Sequence, residues 1–178
     1  MKAINSIARF DLAFSLFCLQ HRFNQPVARI SKAVSRTGDG HMYAMLGLMA
    51  WLFDSEVGGV FFAAGLAAFL IELPIYLTLK NLFKRRRPEE FSSLVTAFIK
   101  PSDRFSLPSG HTTAAFLMAS LISYFYPQYA SLAFVWASCI GAARILLGVH
   151  FFTDVLIGSL LGLCCAEAGL WLIVEFIV

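Results

Sequence analysis

Long apolar stretches separated by short polar segments constrain this 178-residue chain more than any other feature. They run over about residues 41–53, 57–79, 110–126, 130–148 and 152–177. Hydrophobic residues make up 58% of the sequence, charged residues only 14%, and the mean hydropathy is +0.72. Soluble domains rarely carry so much apolar sequence, whereas apolar runs of roughly 20 residues are typical of bilayer-spanning helices. The sequence therefore predicts an all-α fold, a polytopic membrane helical bundle.

The number of crossings has two open points. The stretch at 41–53 is short for a span, so it begins earlier, near Thr37, or crosses a locally thinned bilayer. Over residues 3–23 the apolar residues recur at helical spacing, while Arg9 and Asp11 lie off that stripe. This segment is predicted to be an interfacial amphipathic helix, with a short or tilted span as the alternative. We expect five to six transmembrane helices.

No repeat or low-complexity tract divides the chain, so residues 1–178 are predicted to form a single membrane domain. Within it, 1–36 would be the amphipathic helix and connector, and 37–178 the catalytic core. Nucleic-acid binding is excluded because the basic residues form short clusters rather than a broad face. The cysteines lie in apolar stretches without metal-binding spacing and predict no disulfide framework; they are Cys18, Cys139, Cys164 and Cys165.

Most of the polar residues that suggest chemistry fall into three short clusters, each at an end of an apolar stretch. The clusters run from Lys80 to Pro88, from Pro108 to His111, and from Arg144 to Asp154. If the spans alternate in direction, all three ends reach the same membrane face. A shared site is therefore expected there. Glu72 interrupts the second apolar stretch and is expected to face other helices, either for packing or for catalysis.

Each cluster suits a phosphoryl group in a different way. Ser109 is a favourable N-cap, and a helix that begins there points unpaired N–H groups at an anion. His150 and Asp154 are four residues apart, so on one helix the carboxylate could orient the imidazole as a nucleophile. The cations expected to neutralise phosphate oxygens are Lys80, Arg87 and Arg144. For the other cations of the first cluster a membrane-anchoring role near anionic headgroups is favoured: Lys84, Arg85 and Arg86.

Taken together, the three clusters resemble the signature of the type 2 phosphatidic acid phosphatase family, the PAP2 or lipid phosphate phosphatase superfamily. That signature reads K-x6-R-P, then P-S-G-H, then S-R-x5-H-x3-D. The matching residues are Lys80, Arg87, Pro88, Pro108 to His111, Arg144, His150 and Asp154. Order and spacing agree throughout, from about residue 37 to the end of the chain. Ala143 stands where the family usually has Ser, which would remove one hydrogen bond of about 1 kcal/mol and affect efficiency or substrate choice.

The resemblance implies a division of roles within the site. His150 would form a phosphohistidine, Asp154 would orient it, and His111 would protonate the leaving alkoxide and then activate water. The phosphate would be held by Lys80, Arg87, Ser109, the Gly110 amide and Arg144. The family carries out this chemistry without a metal or another cofactor, so none is expected.

The expected function is hydrolysis of a lipid phosphate such as phosphatidic acid, phosphatidylglycerophosphate, undecaprenyl diphosphate or a lipid A phosphate. A lipid phosphotransferase using the same site, a non-catalytic lipid-phosphate binding or transport protein, and a vanadate-holding haloperoxidase are the alternatives. The partners expected are the lipid substrate and membrane lipids, and the oligomeric state stays open. The excess of Lys and Arg on the motif-bearing face suggests the cytoplasm, whereas the resemblance favours a bacterial cytoplasmic membrane with a periplasmic site.

Overall fold

The computed structural model describes residues 2–20, 22–101 and 103–176, with side chains from residue 6 to 175 within these ranges. The described part consists of helices and loops without a strand, as the all-α prediction requires. The helices are α1 (Lys2–Leu19), α2 (Asn24–Arg36), α3 (Gly40–Phe53), α4 (Gly58–Phe83), the short α5 (Pro88–Phe91), α6 (Gly110–Phe125), α7 (Ala130–Leu146) and α8 (Phe152–Phe176). A 3₁₀ turn at Pro127–Tyr129 precedes α7.

Three segments are long and apolar enough to cross a membrane among the residues described: Gly58–Phe91, Pro127–Leu146 and Phe152–Glu175. The helices α3 and α6 are shorter, with 14 and 16 residues. The chain is therefore a helical protein with membrane-spanning segments, while the total of five to six crossings stays a prediction.

The amino-terminal helix α1 turns a polar side toward the rest of the protein. Asp11 and Ser15 are buried, whereas Phe10 and Phe17 are exposed. An exposed apolar face suits contact with lipid, and this arrangement fits an interfacial helix as well as a crossing one. The amphipathic interfacial assignment therefore stays a prediction.

Helix α8 lies at the centre of the bundle, between α4 and α6. The core around it is closely packed and includes Phe61, Leu117, Leu121 and Ala166. On the other side of α6, α7 packs against both α6 and α2, and α3 packs against α4. This order brings the end of α4, the start of α6 and the start of α8 to one end of the bundle.

Two glycines of α8 allow its backbone to lie against α6. A Cβ added at Gly162 would lie 2.2 Å from the carbonyl oxygen of Thr113, and one at Gly158 would lie 2.8 Å from that of Ser109. Small residues permit such close helix contacts in membrane proteins. The contact fixes the first turn of α6, with its polar cluster, beside the first turns of α8.

Replacing Gly162 with Ala is expected to destabilise the protein by about 1–3 kcal/mol, because the added methyl group overpacks a backbone contact. Thermal unfolding in detergent should show a lower midpoint. Gly59 is the matched control, since a Cβ there meets only the Trp51 ring at 3.6 Å. Gly59→Ala should leave the midpoint unchanged or raise it. An unchanged midpoint for Gly162→Ala would contradict the packing described.

Candidate active site

One cavity of about 240 Å³ gathers residues from all three polar clusters. Five of the predicted site residues line it: Arg87, Gly110, His111, Arg144 and His150. The other three are buried behind this lining: Lys80, Ser109 and Asp154. The meeting of the clusters expected from the alternation of spans is thus present in the fold.

His150 lies in the connection between α7 and α8 rather than on a helix. Gly148 has a φ of +72°, a left-handed conformation that ends α7, and α8 begins at Phe152. A Cβ at Gly148 would also lie 2.9 Å from the carbonyl oxygen of Thr96, so glycine is required there twice over. The prediction that His150 and Asp154 share one face of a single helix is therefore wrong, because this glycine interrupts the helix before His150.

The two side chains nevertheless face each other. Oδ2 of Asp154 lies 3.7 Å from Nδ1 of His150 and accepts a hydrogen bond of 2.8 Å from the Phe151 N–H. Both are buried, at 3% exposure for His150 and 0% for Asp154. Among the described residues Nδ1 has no hydrogen-bond partner, so the Asp154 carboxylate is the group placed to stabilise positive charge there.

The surroundings of His150 keep its imidazole neutral. Burial is the largest cause and lowers its pKa; the carboxylate of Asp154 opposes this shift, and the charges of Arg144 and Arg87 add to it. The resulting pKa is about 4. A neutral imidazole at pH 7 keeps a lone pair on its ring nitrogen and can act as a nucleophile.

His111 is the second residue of α6 and lines the same cavity. Its Nε2 lies 3.0 Å from Oδ1 of Asp39, the residue before α3. Burial and the charge of Arg144 lower the pKa of His111, and the hydrogen bond and charge of Asp39 only partly oppose this shift. The carboxylate also selects the tautomer of the ring. Asp39 is a functional candidate that sequence reasoning missed, because the Gly38-Asp39-Gly40 segment reads as a turn. His111 thereby has its own acidic partner, as His150 has.

The first turn of α6 differs in detail from the expectation. The Ser109 side chain does not cap the helix; its Oγ is buried and lies 2.9 Å from Oγ1 of Thr112 instead. Gly110 lies against Tyr76, whose hydroxyl oxygen would be 2.9 Å from an added Cβ. A side chain at position 110 would therefore collide with the cavity wall, and glycine keeps that wall open.

Two of the predicted phosphate-binding cations bind a carboxylate of the 92–109 loop. Asp103 forms salt bridges with Lys80, at 2.9 Å, and with Arg87. The Tyr76 hydroxyl donates a further hydrogen bond of 2.6 Å to it. Burial raises the pKa of Asp103, but the hydrogen bonds from Tyr76 and Lys80 and the two positive charges outweigh burial and lower it to about 2. With this pKa, Asp103 is ionised at neutral pH.

Arg144 enters the cavity from the last turn of α7. It is 4% exposed, and its Nη1 donates a hydrogen bond of 2.8 Å to the Ser35 hydroxyl on α2. Among the described residues its Nε has no hydrogen-bond partner. A buried guanidinium that lines a cavity and has no acidic partner within salt-bridge distance among the described residues is suited to bind an oxyanion.

Arg85 differs from the expected membrane anchor. Its guanidinium binds Asp154 at 2.6 Å and Asp11 at 2.5 Å, so it belongs to the buried network behind His150. Lys84 and Arg86 are exposed and remain compatible with an anchoring role. The sequence did not distinguish Arg85 from its neighbours because it stands in a run of four cations, residues 84–87.

Glu72 lines the same cavity and is buried, as expected for an acidic group within an apolar stretch.

The described residues contain no group of three or more His, Cys, Asp or Glu side chains that could hold a metal ion. The guanidinium groups that line the cavity are those of Arg87 and Arg144.

Comparison with known proteins places these observations in a family. The family model of the PAP2 superfamily matches residues 56–177. The chain is 38% identical to a lipid A 1-phosphatase of Porphyromonas gingivalis over 71 residues, which are 38% of this chain and 16% of that protein. It is 38% identical to phosphatidylglycerophosphatase B of Bacillus subtilis over 96 residues, 48% and 44% of the two chains. The matches thus cover less than half of either curated relative.

A third relative carries a different name. The bacitracin transport permease protein BcrC of Bacillus licheniformis is 28% identical over 130 residues, 72% of this chain and 64% of that protein.

Solved structures resemble the fold over nearly its whole length. The crystal structure of Aquifex aeolicus LpxE has a TM-score of 0.79 at 26% identity, covering 90% of this chain and 94% of that one. A transmembrane PAP2-type phosphatidylglycerolphosphate phosphatase of Bacillus subtilis has a TM-score of 0.74 at 22% identity, covering 97% and 88%. The second likeness concerns the fold alone.

Replacing Asp103 with Asn is expected to increase the affinity for inorganic phosphate about 10-fold, because the anion no longer competes with a carboxylate for Lys80 and Arg87. Equilibrium binding to the purified protein measures this. Glu89→Gln, at an exposed acid on α5, is the control and should leave the affinity unchanged. Weaker binding by Asp103→Asn would mean that the carboxylate holds the cations in place rather than competing with the anion.

Proposed function

Because the chain belongs to the PAP2 superfamily, we propose that it is a membrane-embedded, metal-independent phosphatase that hydrolyses a lipid phosphate through a phosphohistidine at His150. The observation that carries this proposal is the shared cavity, where a neutral, buried His150 faces His111 and the guanidinium groups of Arg87 and Arg144. A nucleophile, a proton carrier and cations for the phosphate oxygens are the parts that such a reaction needs.

In the first step, Nε2 of His150 attacks the phosphorus, since Nδ1 is turned toward Asp154. A P–N bond forms while the P–O bond to the lipid breaks, and the leaving oxygen takes a proton from His111. This step requires protonated His111, and Asp39 stabilises that form against burial and the charge of Arg144, which lower the pKa of His111. The carboxylate of Asp154 stabilises the positive charge that develops on the phosphorylated imidazole.

After the first step His111 is neutral. In the second step, water attacks the phosphorus of the phosphohistidine and gives a proton to His111. The P–N bond breaks, inorganic phosphate forms, and both histidines return to their first state. Through both steps the phosphoryl oxygens would be held by Lys80, Arg87, Arg144, Ser109 and the Gly110 amide. Lys80 and Arg87 reach the oxygens once the phosphate displaces Asp103.

The substrate is proposed to be the phosphomonoester or diphosphate of a lipid. Helices that are long and apolar enough to cross a membrane line the cavity, so a lipid headgroup can reach it. Because the relatives are named for lipid A and phosphatidylglycerophosphate, these substrates belong in an activity panel with phosphatidic acid and undecaprenyl diphosphate.

Replacing His150 with Ala is expected to abolish phosphate release, with a loss of more than about 10³-fold, because the proposed covalent intermediate forms on this imidazole. The assay measures phosphate released from the lipid panel in detergent with a chelator present. The control is His41→Gln, an exposed histidine on α3 that should keep full activity. A folded wild-type protein that releases no phosphate from any of these lipids would refute the proposal.

Two further experiments test the alternative functions, which are lipid phosphotransfer and non-catalytic binding or transport of a lipid phosphate. Labelled water distinguishes hydrolysis from phosphotransfer, because only hydrolysis places the water oxygen in the phosphate product. The relative named as a transport permease favours testing a non-catalytic function. If His150→Ala retained the cellular function of the wild type, lipid-phosphate binding or transport would be the better description.

The site is proposed to face the periplasm from a bacterial cytoplasmic membrane. Lys100 is exposed in the 92–109 loop, and Glu56 is exposed in the turn between α3 and α4 at the other end of the bundle. In intact cells whose outer membrane is permeabilised, an impermeant thiol reagent should label Lys100→Cys but not Glu56→Cys. The unsubstituted protein gives the background of the native cysteines. The reverse pattern would place the site in the cytoplasm.

A further inference from the structure

Asp11 of α1 and Arg85 of the α4–α5 connection lie directly behind Asp154. We propose that they are positioning residues for the reaction, which act by holding the Asp154 carboxylate against His150. This inference rests on the proposed function of His150. It assigns a role in catalysis to the amino-terminal helix, outside the three clusters of the signature.

The contacts form a continuous chain from α1 to the site. Nη1 of Arg85 donates to Oδ1 of Asp154 at 2.6 Å, and Nη2 donates to Oδ2 of Asp11 at 2.5 Å. Thr153 completes the network: its hydroxyl donates to Asp11 and accepts from Arg85 at 2.6 Å, and its N–H donates to Asp11 at 3.2 Å. The Arg85 guanidinium also lies 4.4 Å from the centre of the Phe151 ring.

Because Asp11 and Asp154 are buried, both carboxylates depend on Arg85. Both carboxylates are fully buried, and the Arg85 side chain is 22% exposed. A buried carboxylate without a partner is strongly destabilised, so each of the two needs the guanidinium. Arg85 holds Oδ1 of Asp154 while the Phe151 N–H holds Oδ2. With both oxygens held, the carboxylate keeps Oδ2 toward Nδ1 of His150.

Asp11 has a further electrostatic effect. A guanidinium paired with Asp154 alone would neutralise most of that carboxylate's charge. Because Asp11 shares the guanidinium, Asp154 retains negative charge with which to stabilise a cationic imidazole. This matters because the other charges that face His150 are the guanidinium groups of Arg87 and Arg144, which oppose such a cation.

Replacing Asp11 with Asn preserves shape and removes the charge. We expect kcat for lipid-phosphate hydrolysis to fall about 10-fold with little change in KM, as for outer partners of a reacting group. Equilibrium binding of vanadate, whose five-coordinate form on a histidine imitates the transition state, should weaken by a similar factor. Vanadate binding needs no lipid substrate and so tests the inference independently of hydrolysis.

Two comparisons separate positioning from a general loss of structure. In an Asp154→Asn background, Asp11→Asn should cause no additional loss, whereas independent sites would add. Arg85→Lys keeps a positive charge and should retain more activity and vanadate affinity than Arg85→Gln. The neighbouring exposed Arg86 supplies the matched control, because Arg86→Gln should leave vanadate binding unchanged.

The outcomes are distinguishable. Vanadate binding by the wild type without phosphate release would refute the proposed function, and the effect of Asp11→Asn on vanadate binding would still decide the inference. If Asp11→Asn matched the wild type in kcat and in vanadate affinity, the positioning role would be wrong. Additive losses in the double variant, or a wild type that binds no vanadate and releases no phosphate, would overturn it as well.

Discussion

The burial of ionised side chains inside an apolar helical bundle constrains this end of the fold more than any other factor. Lys80, Arg87 and Arg144 are each less than 5% exposed, and Asp11 and Asp154 are fully buried. A buried charge is costly without a partner of opposite charge. Lys80, Arg87 and Arg85 have carboxylate partners, whereas Arg144 has the Ser35 hydroxyl. The partners come from α1, from the loop before α6 and from the start of α8, so the pairing also fixes how these segments lie against one another.

The pairs differ in whether their partner can be exchanged. Asp103 belongs to the wall of the cavity, and its side chain is 35% exposed. A phosphate that replaces it finds Lys80 and Arg87 already removed from water and already oriented, so much of the desolvation cost of binding has been met during folding. Arg85 is shared between two carboxylates that are fully buried behind the cavity lining, and no such exchange is open to it. One network can therefore serve binding while the other serves orientation.

The sequence predicted the helices and site residues that belong to short, local sequence patterns. The apolar stretches predicted helices close to those observed, and three short clusters predicted the residues that meet at the cavity. The misses have two physical origins. The predicted local structure was wrong at Gly148, which adopts a positive φ, and at Ser109, whose hydroxyl contacts Thr112 rather than capping the helix. Partners remote in the chain were not foreseen at all, because an isolated acid such as Asp39 or Asp103 carries no local signal of what it will face.

The state of His150 shows how these charges act on one another. Burial lowers the pKa of His150, and the guanidinium groups of Arg87 and Arg144, which suit the phosphate, lower it further and help to keep its lone pair free. The same charges disfavour the cationic imidazole that phosphoryl transfer would produce, so the reaction needs a carboxylate directed at Nδ1. The phosphoryl group itself brings negative charge next to both cations as it arrives. Substrate binding would thus offset the repulsion that these guanidinium groups add to burial, and Asp154 would stabilise the cation at the other nitrogen of the ring.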